Sequence, residues 1–245
     1  MKGLSEYVSS VYDGTMGRES IEWANIWYSE ANLPTSKDRI LLIGDSTARM
    51  IRSTFQRMIG KPVDMLGTSC SLHDILFLKQ LDALFASKYY HYSHIFIQMG
   101  HHSIRGESGL LYGEGDYIRF HQDYVALINF LSHYCKNIIL LTCFLNVSPL
   151  PPRLNSTISS IPILLYRKVF GEKIDYSWSD VVIRKNKIIE EIAKLLDLQF
   201  CDIDGIMRAK CDGMFPKYIH NDHIHYFGRR AKTAIAREYA KLLRT

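Results

Sequence analysis

The chain is predicted to fold as an α/β protein, a three-layer, doubly wound parallel sheet with helices on both faces. Two observations carry that prediction. Five short apolar runs, each too short for a helix, alternate with five longer segments whose apolar residues recur at helical spacing, and this alternation implies parallel strands joined by right-handed crossovers. The 245 residues, 47% hydrophobic and 22% charged, are also enough to bury a full core without disulfides or metal. No composition shift marks a second domain. The expected organisation is one unit over residues 1–245, with 1–37 as a leading segment and 145–179 as an irregular insertion.

In the leading segment, Trp23, Ile26 and Trp27 suggest a short helix, and Pro34, Ser36 and Asp38 mark the approach to the first strand. Arg39–Ile59, RILLIGDSTARMIRSTFQRMI, is the organising stretch. Leu41, Leu42 and Ile43 read as a buried strand, Gly44 punctuates it, and Met50, Ile51, Phe55, Met58 and Ile59 recur as in a helix. Gly60-Lys61-Pro62 breaks that helix, and a second strand, Val63–Leu66, runs into Gly67-Thr68-Ser69. A helix over Asp74–Phe85 follows, then a strand over Ser93–Met99 that closes on Gly100-His101-His102-Ser103. A glycine-rich loop (Gly106, Gly109, Gly113, Gly115) precedes a helix over Tyr117–Tyr134, and Asn137–Phe144 is the fourth strand. The insertion holds Pro149, Pro151, Pro152 and Pro162 and is too long for an ordinary connection, which suits the wall of a site. The pattern ends with a helix over Asp180–Leu196, a fifth strand over Leu198–Asp202 and a final helix over Gly228–Leu243.

Composition and charge remove several function classes. The net charge of +5, from 30 Lys and Arg against 25 Asp and Glu, is densest on the final helix, at Arg229, Arg230, Lys232, Arg237, Lys241 and Arg244. No aromatic residues interleave with those bases and no binding module is recognisable, so a nucleic-acid partner is not expected. A solvated helix face accounts for them, with attraction to an anionic cofactor or polymer as the alternative. Cys70, Cys135, Cys143, Cys201 and Cys211 are an odd set without CxxC spacing, which favours reduced core thiols. His220, His223 and His225 lack a matching cysteine or carboxylate set, so no metal is expected. The first twenty residues carry Glu6, Asp13 and Glu19 and no apolar core of a signal peptide, and no apolar run reaches membrane-span length. A cytoplasmic location and no transmembrane segment are the corresponding expectations. The oligomeric state is not written in the sequence.

In a doubly wound sheet the site lies at the carboxyl ends of the strands. The polar loops expected there are Asp45-Ser46, Gly67-Thr68-Ser69 and Gly100-His101-His102, with Asn221-Asp222-His223-Ile224-His225 added from near the C-terminus. A serine hydroxyl becomes a nucleophile only beside a base whose tautomer a third group fixes. Ser46, His225 and Asp222 are the candidates, and the three-residue spacing of Asp222 and His225 before a helix lets one turn present both. Serine at a strand-to-helix corner is also an ordinary helix N-cap, and Asp45 reads as a turn residue bonding local backbone.

These blocks, in this order, resemble the SGNH, or GDSL, family of serine esterases and acyltransferases. Gly44-Asp45-Ser46 matches its first motif, Gly67 its second-block glycine and Asp222-His223-Ile224-His225 its final Asp-x-x-His. The resemblance spans about Arg39–Arg230 and rests on these short motifs. It implies a flavodoxin-like SGNH hydrolase fold and a catalytic domain in which Ser46 is nucleophile, His225 base and Asp222 the orienting carboxylate. It further implies an oxyanion hole of the Ser46 and Gly67 backbone N–H groups. The family's third motif, Gly-x-Asn, here reads Gly100-His101-His102, which puts His102 at the position of the donating Asn. The polysaccharide O-acetyltransferase and PC-esterase branch instead has Arg three residues after the serine and Gly-His in the third motif. Arg49 and His101 match those features, which makes both of them candidates for substrate or donor binding.

What the resemblance implies is two-step acyl transfer through an acyl-Ser46 intermediate. The leading expectation is an O-acetyltransferase that takes acetyl from acetyl-CoA to a carbohydrate or glycopolymer hydroxyl. The alternatives are a carbohydrate or lipid O-acyl esterase with the same residues, and a catalytically silent binding protein of the same fold.

Overall fold

The computed structural model describes residues 24–29, 38–69, 71–86, 91–102, 112–145, 177–210 and 228–244. Among them are six strands: β1 (Ala24–Trp27), β2 (Arg39–Gly44), β3 (Val63–Thr68), β4 (Tyr92–Gln98), β5 (Ile138–Leu141) and β6 (Gln199–Cys201). Six helices accompany them: α1 (Ser46–Ile59), α2 (Ile75–Ala86), α3 (Glu114–Ser132), α4 (Ser177–Leu195), α5 (Ile203–Lys210) and α6 (Arg229–Lys241). The strands form one sheet in the order β1-β3-β2-β4-β5-β6, parallel throughout except for β1, which pairs antiparallel with β3.

Strands in such a sheet are buried on both faces, which is why they read as continuous apolar runs. Ile40 and Leu42 face one layer with Phe96, Ile139 and Leu141, against Ala48, Ile51 and Phe55 of α1 and Ile235 and Tyr239 of α6. Leu41 and Ile43 face the other with Ile95, Ile97 and Leu140, against Phe77 and Leu81 of α2, Phe120 and Tyr124 of α3, and Ile189 and Ile192 of α4. This is the predicted three-layer arrangement, with α1, α5 and α6 on one side of the sheet and α2, α3 and α4 on the other.

The leading segment departs from expectation. Residues 24–27 form a strand, not a helix, because Ile26 packs into the layer of α2 while its neighbour Trp27 packs into the layer of α1. Adjacent side chains reach opposite faces only with the two-residue period of a strand. β1 thereby covers the outer edge of β3, with Ala24 opposite Thr68 and Trp27 opposite Met65.

Other boundaries shift for local reasons. α3 starts at Glu114, three residues ahead of the predicted Tyr117, since Asp116 accepts a hydrogen bond from the Gly113 N–H (2.8 Å) and Glu114 and Asp116 suit the positive helix start. β5 stops at Leu141, short of Phe144, because the Cys143 N–H and C=O are both taken by the Asn186 side chain at 2.8 Å and the Leu145 N–H by Asp204 at 2.9 Å. α5, which is not among the expected elements, begins one residue after Asp202, whose carboxylate accepts from the Gly205 N–H at 3.0 Å.

At the amino ends of the strands, Arg39 and Asp64 form an ion pair in which both side chains are fully buried. Asp64 accepts from Arg39 Nε (2.8 Å) and Nη2, from the Ser29 N–H (2.8 Å) and from the Tyr92 hydroxyl (3.2 Å). This network ties β2, β3 and β4 together at the end of the sheet away from the predicted site. No helix among the described residues is long and apolar enough to cross a membrane.

Candidate active site

Across three adjacent strands, Gly44, Gly67 and Gln98 stand level. Just beyond that line β2 gives way to α1, which runs down one face, whereas α2 carries the chain from β3 to β4 over the other face. The strand order reverses at β2 and β4, and this switch point opens the crevice where ligands bind in open α/β sheets. Ser46, the first residue of α1, and Gly100-His101-His102, which follow β4, both lie there.

The corner at Ser46 needs its glycine. A Cβ on Gly44 would lie 2.7 Å from the Ala48 Cβ and 3.1 Å from the Gln98 carbonyl oxygen, so only glycine lets the first turn of α1 descend this close to β4. The N-cap is Asp45, not Ser46. The Asp45 Oδ1 accepts from the Thr47 N–H at 2.8 Å and from the Thr47 hydroxyl at 2.6 Å. Capping is thus done by the aspartate, and Ser46 takes the N1 position, half-buried, with its backbone N–H among those that the helix leaves without an intrahelical carbonyl.

Gly67 lies inside β3, level with Gly44 on one side and Asn25 on the other, rather than in the loop beyond it. Thr68 and Ser69, next in the chain, are buried. Arg49 is exposed on α1 and holds its guanidinium 5.9 Å from the centroid of the Trp27 ring on β1.

The third loop is fixed from several sides. Gly100 has φ +137°, a conformation open to glycine alone, and a Cβ there would meet Phe120, Cys143 and Lys185 at 3.3–3.7 Å. The reversal turns His101 inward, where it is buried and its Nδ1 lies 3.0 Å from the Phe144 carbonyl oxygen. A carbonyl only accepts, so Nδ1 carries the proton, and in the neutral ring Nε2 is an acceptor. Neutral His101 therefore cannot donate to an oxyanion through Nε2. His102 is less buried, and its carbonyl accepts from Lys185 Nζ at 2.9 Å.

Beneath the loop the Cys143 thiol is pushed well above its usual pKa, first by burial and then by the nearby Asp45 carboxylate. Burial also raises the Asp204 carboxyl, against hydrogen bonds from Arg208 and the Leu145 N–H that lower it. Cys135, Cys143 and Cys201 are buried free thiols. Among the described residues, no group of three or more His, Cys, Asp or Glu side chains is placed to hold a metal ion. Asp222 and His225 lie outside the described residues.

Solved structures with the same architecture are found. The acetylxylan esterase Axe2 from Geobacillus stearothermophilus superposes with a TM-score of 0.52 at 12% identity, over 84% of this chain and 93% of that one. A mutant of Axe2, described as an acetyl-xylooligosaccharide esterase, reaches a TM-score of 0.56 at 14% identity, over 85% and 94%. This chain has the SGNH hydrolase fold. A predicted GDSL-like lipase from Parabacteroides merdae also matches, with a TM-score of 0.51 at 12% identity over 84% and 95%. No protein-family profile and no curated protein matches the sequence.

Two residues at this site escaped sequence reasoning. Lys185 and Asn186 of α4 hold the loops that follow β4 and β5. A signal was present, because Lys185 falls on the buried stripe marked by Val181, Val182, Ile189 and Ile192, where an apolar residue is expected.

Proposed function

We propose that the protein is an SGNH-type serine esterase that removes acyl groups, acetyl in the first instance, from a carbohydrate. The observation that carries this reading is the position of Ser46, at the start of a helix and at the switch point of a fold shared with acetylxylan esterases. Asp222 and His225 complete the triad by sequence motif. Capping by Asp45 supports the assignment, since it relieves Ser46 of the role that serines most often play at a helix start.

In the proposed reaction, Ser46 Oγ attacks the acyl carbonyl as His225 takes its proton. The negative charge on the carbonyl oxygen meets the Ser46 N–H at the positive end of α1, and the Gly67 N–H is the second donor by family motif. His102 is the third donor, because the Nδ1 proton of His101 is held by Phe144. Loss of one such donor removes roughly 2.7–4 kcal/mol of transition-state stabilisation. The C–O bond to the sugar then breaks, His225 protonates the departing sugar oxygen, and water hydrolyses acyl-Ser46 by the same steps to release the carboxylic acid. Arg49 and His101 are the candidates for substrate contact by motif, Arg49 exposed on α1 and His101 buried at the Gly100 turn.

Transfer from acetyl-CoA to a sugar hydroxyl uses the same acyl-enzyme and rests on the Arg49 and Gly100-His101 motifs, the expected cytoplasmic location and the chain's positive charge, whereas hydrolysis is also supported by the fold shared with acetylxylan esterases and is the better-supported outcome. The test is incubation with acetylated xylooligosaccharide and, separately, with acetyl-CoA plus unacetylated glycan. Acetate release from the first that disappears in Ser46→Ala supports the esterase. Acetylated glycan from the second, without hydrolysis of the first, would replace it with the transferase. Full turnover by Ser46→Ala would remove the serine mechanism altogether.

A further inference from the structure

Lys185 is 1% exposed, yet it is a lysine on the apolar stripe of α4. Its stem passes 3.7 Å from where a Gly100 Cβ would sit, and its ammonium rests 4.2 Å from the centroid of the Tyr112 ring and 5.0 Å from that of Phe120. From there Nζ donates to the His102 carbonyl at 2.9 Å. Packing alone does not call for this ion. A methionine would fill the same channel without an ammonium to desolvate, and replacing buried ions by apolar residues of similar volume is often neutral or stabilising. What methionine lacks is the donor that fixes the His102 backbone. Where a residue breaks the local pattern in this way, the compensation is usually functional.

We propose that Lys185 is a positioning residue: it clamps the Gly100–His102 loop and so sets the direction of the His102 ring toward the oxyanion. Asn186 completes the clamp by holding both backbone groups of Cys143, beside Gly100. Two successive residues of one helix thus hold the loops after β4 and β5 in register. The inference rests on the esterase reading for its kinetic consequence and on geometry alone for its structural one.

The test compares wild type and Lys185→Met by urea unfolding, by kcat and KM on 4-nitrophenyl acetate, and by the ring-nitrogen spectrum of 15N-labelled histidines, with His102→Asn to assign the His102 signals. The expected result is an unfolding midpoint at or above that of wild type, kcat lower by about 10- to 100-fold with KM within about twofold, and displaced His102 ring signals. A kcat within twofold of wild type overturns the proposal. If Lys185→Met does not fold, Lys185→Arg decides: its charge is kept and its donor displaced, so reduced kcat at unchanged KM supports positioning, and unchanged kcat overturns it. If wild type hydrolyses no ester, the esterase reading fails by itself. The spectrum then decides alone, with unchanged His102 signals in Lys185→Met counting against the clamp.

Discussion

Replacing Gly44 by alanine tests whether the corner beneath Ser46 is set by steric contact. The new Cβ would stand 2.7 Å from the Ala48 Cβ, about 0.8 Å inside the ordinary carbon–carbon contact of ~3.5 Å. Both atoms are fixed to backbone, so no rotamer relieves the clash and the first turn of α1 must lift from β2. Overpacking of this kind costs about 1–3 kcal/mol, of which the lower unfolded-state entropy of alanine returns ~0.5–1 kcal/mol. Ala48→Gly alone loses a buried methyl, ~0.8 kcal/mol, and helix propensity, ~1 kcal/mol. In the double variant the pair of Cβ atoms no longer exists and only the milder 3.1 Å contact with the Gln98 carbonyl oxygen remains, so its destabilisation stays closer to the ~2 kcal/mol of Ala48→Gly than to the sum of the single changes, and the two are non-additive. Urea unfolding of all four proteins measures the cycle. Additivity within about 0.5 kcal/mol would refute the steric account. Because Ser46 rides on that turn, Gly44→Ala should also lower ester turnover by up to about 100-fold, and Ala48→Gly should restore part of it.

Three further outcomes are expected. Asp64→Ala removes the carboxylate beside the buried Arg39 guanidinium and lowers unfolding free energy by about 3–5 kcal/mol, whereas Arg39→Met with Asp64→Leu recovers only part of it, because the Ser29 N–H and the Tyr92 hydroxyl lose their acceptor; a loss under ~1 kcal/mol in urea titration of Asp64→Ala would show that the pair is solvated. Cys201 is raised from 9.0 to about 11, chiefly by burial, so the unfolded chain releases this proton first and its stabilising contribution, complete below pH 9, is lost as pH rises toward 11. Burial of Cys143 acts in the same direction, and urea unfolding at pH 8 and pH 10 should show a smaller fall in Cys201→Ala than in wild type. Arg49→Ala should change stability by less than about 1 kcal/mol, as its contact with Trp27 is an exposed cation–π pair, and a larger shift in the thermal midpoint than that implies would make Arg49 structural.

Much of the fold was legible because a parallel sheet buries both faces, which leaves runs such as Ile40–Ile43 without polar interruption. Ile26 and Trp27 misled because adjacent large apolar residues that read as part of a short helix also suit the two faces of a strand at a sheet edge; Trp23 lies outside the described residues. The choice was made by the free edge of β3, a partner far along the chain. The short β5 has a remote cause: Asn186 and Asp204 take backbone groups across 43 and 59 residues of sequence, and no local pattern announces such bonds. The start of α5 is local instead, with Asp202 accepting from the Gly205 N–H three residues on, and its eight residues are too few to show a clear helical period. Within the site, the Ser46 corner and the Gly100 reversal were legible because glycine marks both. Lys185 was not, since a lysine in a helix is read as solvated until its neighbours are known to be buried.

The carboxyl edge of the sheet is held by side chains as much as by the ladder. Gln98 Nε2 donates to the Thr142 carbonyl at 3.0 Å, and Gln98 Oε1 accepts from the Tyr239 hydroxyl at 2.8 Å. Thr142 Oγ1 in turn donates to Asp202 and accepts from the Asp204 N–H, both at 3.0 Å, and Asp204 holds the Leu145 N–H and Arg208 Nε. Strand ends ordinarily leave backbone groups to water, but here α6, α5 and the strands themselves supply the partners in a dry environment where each bond is strong and each vacancy costly. A site built on such an edge has little freedom to rearrange when charge develops on a substrate. That suits stabilisation by fixed dipoles, which depends on donors already in place before the reaction begins. On this argument the Lys185 and Asn186 clamp is the same device carried one layer out, to a loop beyond the reach of the ladder.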